Sequence, residues 1–331
     1  MRFRPIVLSA LLAACTLCAC TASEGALERV ADARARNDGP AMWVVEDADS
    51  TLYLYGTVHI VPAGLDWQRD DLWEAFARAG TVWFEVPSTP DAQATAERLT
   101  RLRGYQPPGG SLSGGFDAYE LRLLEVAALQ ADVPFPVLDS LRPWLASELL
   151  TLAAAEDAGL SAALAPDEAI KSRARRSAKY VTYLDRLEDQ IALAADAPEQ
   201  GAALREVLEG YNRLGAELAA IAAEWVSGDV EGLAARLADS ITGEARERLM
   251  TERNAKWAAT LADWMEGSGN GLAVVGVGHL VGEDSLLDAL EREGFAPRRH
   301  YSFQGGDVLR TIELDVDTGG PNTASDTVDT P

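Results

Sequence analysis
The chain has 331 residues, 47% of them hydrophobic and 24% charged, with 52 Asp and Glu against 29 Lys and Arg. That length holds one large domain or two smaller ones, with apolar residues enough for a sizeable core. The Gly and Pro content excludes collagen-like or wholly disordered chains. A formal net charge of −23 argues against nucleic acid as a partner, because neutralising phosphates needs a basic face.

The N-terminus starts with Arg2 and Arg4, continues as a short apolar run, and ends in Cys15-Thr16-Leu17-Cys18-Ala19-Cys20. A basic start, an apolar run too short to span a bilayer and a small-residue end predict a secretory signal over residues 1–20. Cys20 is the favoured lipid anchor, with Cys15 or ordinary cleavage as the alternatives. An acyl chain there would hold a periplasm-facing protein on the membrane surface without crossing it. No cysteine lies beyond Cys20, so the mature domain has neither disulfides nor thiolate ligands.

Residues 21–40 read as a tether. Strands are expected at 41–45, 51–55 and 81–86, the last stopped by Pro87, with a helix at 70–79 before the third. Helices follow near 91–103 and 116–131, and a Pro-bounded apolar segment at 133–138 reads as a strand. From 143 to about 265 the chain is mainly helical, with a helix start at Pro166-Asp167-Glu168 and a strand at 179–184. Residues 271–275 are a strong buried-strand signal, followed by a helix at 283–293. Edge strands are expected at 301–303 and 308–314, and the Thr-, Asp- and Gly-rich tail at 315–331 reads as disordered. The fold class is therefore α/β over 41–314, a central β core with flanking helices and a helical insertion.

Two of the three histidines share one context. Leu54-Tyr55-Gly56-Thr57-Val58-His59 and Val274-Val275-Gly276-Val277-Gly278-His279 both run strand, then Gly-x-x-His. Gly56 and Gly276 would let the backbone turn sharply or approach a ligand closely. Each histidine is then presented at the carboxyl end of a strand, where open α/β sheets build their sites. A separation of 220 residues excludes a local metal motif and requires convergence through the sheet, which an internal two-fold repeat would supply. One such motif alone is weak evidence; two copies are stronger. His300, preceded by Arg298 and Arg299, reads as a surface residue.

Glu85 interrupts an apolar strand, and a buried carboxylate is costly unless paired or metal-bound; the alternative is a strand end facing solvent. Two imidazoles and a carboxylate suit a divalent ion such as Mn, Co, Zn or Fe, which would support hydrolysis. Glu252-Arg253-Asn254 adds further candidates. Arg253 reads as a clamp for a carboxylate or oxyanion, a buried ion pair or part of a solvated face. Successive helical residues point different ways, so not all three can face one pocket.

Taken with Pro143-Trp144, this ordered set resembles the TraB/GumN family, which includes pheromone-shutdown proteins and the Tiki proteases. The resemblance spans residues 42 to about 300. It implies an α/β fold shared with erythromycin esterases and ChaN-like haem-binding proteins. For Tiki-like members it implies metal-dependent peptide cleavage, with His59, His279 and Glu85 at the matching positions. Where many bacterial members carry Leu-Glu-Thr, this chain has Leu184-Asp185-Arg186, which keeps a carboxylate. The expected function is a cell-envelope metal-dependent hydrolase acting on a peptide or protein. The alternative is a lipoprotein that binds metal, haem or peptide without turnover.

Overall fold
The computed structural model describes residues 39–301. The signal segment with Cys20, nearly all of the tether, residues 302–303, the strand expected at 308–314 and the tail at 315–331 lie outside the described residues. Strands β1 (Met42–Glu46) and β2 (Ser50–Thr57) form a hairpin, followed by the two-residue β3 (Val61–Pro62), α1 (Asp70–Arg78) and β4 (Thr81–Phe84). Next come α2 (Pro90–Arg103), α3 (Ala118–Gln130), α4 (Phe135–Asp139), α5 (Pro143–Asp157), β5 (Leu160–Ser161), α6 (Pro166–Arg175) and β6 (Tyr180–Tyr183). Helices α7 (Leu187–Ala195), α8 (Gln200–Ser227), α9 (Val230–Ser240) and α10 (Gly243–Arg246) lead through a π turn at Glu247–Thr251 into α11 (Glu252–Met265). Strand β7 (Gly269–Gly276), α12 (Leu286–Arg292) and β8 (Arg298–His300) complete the described chain.

The main sheet has the order β6-β4-β7-β2-β1-β8. Its β6, β4, β7 and β2 run parallel, and β1 and β8 close one side through antiparallel pairing. This is a mixed sheet in an α/β fold, as the strand and helix pattern predicts. Leu272, Ala273, Val274 and Val275 of central β7 are all buried, the unbroken apolar run that a parallel strand covered on both faces requires. One apolar cluster surrounds this sheet, taking in Leu72 and Phe76 of α1 and Trp257 and Leu261 of α11. A second lies among α2, α3, α5, α7 and α8.

The segment at 133–138 is not a strand; α4 forms there. Pro134 and Pro136 fall at its N-cap and first turn, where no intrahelical N–H is needed, and Leu138 packs into the second cluster. The C-terminal edge strand lies at Arg298–His300, just before the expected 301–303 segment. His300 is accordingly half-buried rather than on the surface, edge-on to Tyr53 at 5.5 Å between ring centres. The strand expected at 179–184 is β6, and it pairs with β4 in the main sheet. The region from 143 to 265 thus contributes an edge of the sheet as well as helices.

Candidate functional site
The carboxyl ends of all four parallel strands bring a polar side chain to one place. β2 runs out to His59, β7 into a turn carrying His279, β4 to Glu85 and β6 to Asp185. β2 and β7 are neighbours, with Gly56 opposite Val275 and Thr57 opposite Gly276. The two Gly-x-x-His units therefore lie side by side, one residue out of step. Parallel pairing of β2 with β7 is what makes the histidines converge.

The motif glycines serve close approach, not sharp turning. Neither belongs to the glycines with positive φ. A Cβ on Gly56 would stand 2.9 Å from Val277 Cγ2 and 3.1 Å from its Cα, so the missing side chain lets the units abut. A Cβ on Gly276 would stand 3.1 Å from Glu85 Oε1, 3.6 Å from His59 Nε2 and 3.8 Å from His279 Cδ2. Gly276 thus marks the point on which the three side chains converge. Trp225 of α8 ties down this edge by donating its Nε1–H to the Gly56 carbonyl at 2.8 Å.

Arg253 is buried at the heart of the cluster and carries its ion pairs. It donates through Nη2 to Glu85 Oε2 at 3.0 Å and through Nε to Asp185 Oδ2 at 2.9 Å. Its Nη1 lies 3.1 Å from His279 Nε2 and also reaches the Leu249 carbonyl at 3.2 Å. Leu249 belongs to the π turn that precedes α11, a distortion often found at functional sites. Asn254 accepts from His279 Nδ1 at 2.7 Å and anchors its own amide on the Asp284 carbonyl at 2.7 Å. That anchor assigns the Nδ1–H tautomer to His279 and leaves its Nε2 lone pair facing Arg253. Of the three adjacent candidates, Arg253 and Asn254 are buried in the cluster while Glu252 is exposed.

Asp167 of α6 sits 3.5 Å from His59 Nδ1 and accepts from Lys171, one helical turn on, at 3.0 Å. Sequence reasoning missed both residues. Its only signal was the Asp167…Lys171 spacing after Pro166, which looks the same as an ordinary acidic first turn with a solvated ion pair.

Charge pairing sets the protonation states. Burial alone would raise Glu85; His279, Arg253 and His59 around it and the Gly276 N–H at 2.6 Å outweigh that and hold it at about 2. Burial and then the Arg253 cation push His279 down to about 3, so its ring is neutral. Burial works against a charged His59, but Asp167 and Glu85 prevail and raise it. His59 keeps 16% of its side chain exposed, whereas His279 is buried, so access to the site is from the His59 side. A cavity of about 10 Å³ lies between His59, Glu85, Asp167, Lys171 and Gln190, room for about one water.

The donor chemistry suits a divalent ion. Each histidine has its Nδ1 beside an oxygen, from Asp167 or Asn254, which is how metal-binding imidazoles are usually oriented. Arg253 is the resident cation at the lone pairs of Glu85 and His279. Among the described residues no group of three His, Cys, Asp or Glu is spaced as a metal site.

A mixed α/β sheet whose parallel strands end in a buried His–Glu–Arg–His cluster defines the class of protein. The family model of TraB/PrgY/gumN matches residues 41–299, and the chain belongs to that family. Comparison with curated proteins and with solved structures returned no match.

Proposed function
We propose that this chain is a divalent-metal-dependent hydrolase of peptide or related amide bonds, with its reaction centre beside Gly276. The observation that carries the reading is the approach of His59, His279 and Glu85, drawn from three parallel strands, to that single point. His59 and His279 through Nε2, and Glu85 through its carboxylate, would hold the ion. A bound ion supplies an acidified water and polarises the scissile carbonyl. Asn254 fixes the His279 imidazole by its hydrogen bond, and the Asp167 carboxylate stands 3.5 Å from His59 Nδ1. Loading the site requires Arg253 to release Glu85 and His279. Its pairing with Asp185 then keeps the guanidinium nearby as the positive group for a substrate carboxylate or an oxyanion. Lys171, in the cavity wall, adds positive potential on the opposite side.

A second reading uses the chain's own groups alone. It is favoured by the hold of Arg253 on both His279 and Glu85, together with the partial exposure of His59. In that reading Asp167 orients His59, which accepts a proton from the attacking water as a general base. The cell-envelope placement and the lipid anchor at Cys20 are part of the same proposal and rest on the N-terminal sequence.

Metal analysis of protein purified without chelators, followed by peptide-library cleavage, tests these readings. Bound metal, chelator-sensitive cleavage, and the loss of both in His59→Ala are the expected results. Chelator-resistant cleavage that still needs His59 selects the general-base reading. Bound metal with no cleavage selects the binding lipoprotein.

A further inference from the structure
A larger cavity of about 300 Å³ opens among α5, α7, α8 and the α9–α10 region, away from the histidines. Its size falls at the lower end of small-ligand pockets. Trp144, Leu193, Val207 and Ile241 give it an apolar wall. Among its polar atoms, Glu148 Oε1, Thr151 Oγ1 and Gln200 Oε1 are sealed from solvent and have no hydrogen-bond partner.

Native proteins seldom leave three buried acceptors unpaired in one place, because each carries the full cost of its lost hydration. The charge is equally one-sided. Glu148, Glu199 and Glu206 line the cavity against the single cation Arg248, and Arg248 is already spent on Glu199. The unpaired donors in the wall are Arg248 Nε and the Thr151 hydroxyl, neither of which carries a charge free to meet Glu148. Burial without a partner pushes the Glu148 carboxyl up to about 8, as expected of an acid that has no cation of its own.

We infer that this cavity binds a primary ammonium group on an apolar stem, with the ammonium on Glu148 and the stem along Trp144 and Val207. An ammonium would give the unpaired Glu148 carboxyl the charge-assisted partner it lacks, and the apolar wall would take the stem. A lysine side chain or a free alkylamine presents this chemistry equally. The inference is independent of the reaction centre, although the two pockets share walls. Gln190 of α7 lines the small one and Leu193 the large one, while Leu249 lines the large one and accepts from Arg253.

Calorimetric titration of the full chain at about pH 8.5, above the Glu148 value, tests this with n-hexylammonium, Nα-acetyl-lysine amide and n-hexanol. Wild type should bind one or both ammonium compounds at least about tenfold more tightly than hexanol, the worth of one charge-assisted hydrogen bond. Glu148→Gln, which keeps the shape of the side chain, should bring ammonium and alcohol to similar affinity. Ala203→Trp, which fills the cavity, should remove binding of all three with helical content intact. The relative affinity of the two ammonium compounds separates a peptide side chain from a free amine as the source. An ammonium that binds no better than hexanol, or an advantage that survives in Glu148→Gln, overturns the inference.

Discussion
At Arg253 one guanidinium meets two buried carboxylates, Glu85 and Asp185, and the lone pair of a neutral histidine. Removing it leaves buried Glu85 without its cation, while Asp185 keeps Lys256 at 2.8 Å. Arg253→Ala should therefore cost about 3–5 kcal/mol of stability in urea unfolding, the range for breaking a buried pair from one side. Arg253→Lys keeps the charge but cannot reach three acceptors in one plane, and should lie between the two. Glu148 gives a pH signature of the opposite kind. Its folded pKa is about 8 against an ordinary 4.5, so over that window the folded state holds a proton that the unfolded state has lost. Stability must then fall as pH rises from about 4.5 to about 8 and level off above. Glu148→Gln should flatten that segment of the stability–pH curve, and an unchanged slope would assign the loss to other groups.

Among the elements, the β2–β7 pair decides the site. Its glycines have separable roles, which two alanine substitutions distinguish. On Gly56 a Cβ would press on Val277 at 2.9 Å, an overpacking that should cost about 1–3 kcal/mol in thermal or urea unfolding. On Gly276 it would meet the movable Glu85 carboxylate at 3.1 Å. Gly276→Ala should leave the thermal midpoint near wild type yet weaken metal binding about 10- to 100-fold, as displaced metal-site geometry typically does. Equal effects of the two substitutions on both measurements would mean that the glycines are interchangeable spacers. The π turn and α11 form the other decisive element, since they carry Arg253 and Asn254 over the strand ends while Glu252 turns to solvent.

For the molecule as a whole, the cysteines and the charge set the expectations. No cysteine lies beyond Cys20, so the thermal midpoint should be the same with and without reductant; a large drop would mean that the N-terminal cysteines pair. No helix among the described residues is long and apolar enough to cross a membrane. Under the proposed lipid anchor, a membrane-bound fraction should depend on acylation. Palmitate labelling should be lost in Cys20→Ala; labelling that persists would move the anchor to Cys15, and an unlabelled wild type would remove it.

What the sequence determined by itself was whatever depends on neighbours along the chain. Apolar runs marked β2, β4 and β7, proline and acidic starts marked α2 and α6, and the two Gly-x-x-His units marked where chemistry would sit. It misread 133–138 because a short Pro-bounded apolar segment has the same composition in a strand and in a first helical turn. Only the tertiary structure decided which strands are neighbours. With β7 inserted between β4 and β2, residues 59, 85, 185 and 279 reach one cluster, and no local periodicity encodes that order. The structure also decided which charges are buried. Asp167 and Lys171 look like a solvated helical pair in sequence, and become part of the site because α6 packs against β4 with Asp167 3.5 Å from His59. Burial and partnership are properties of packing, and they give ordinary carboxylates and an arginine the electrostatics of the candidate site.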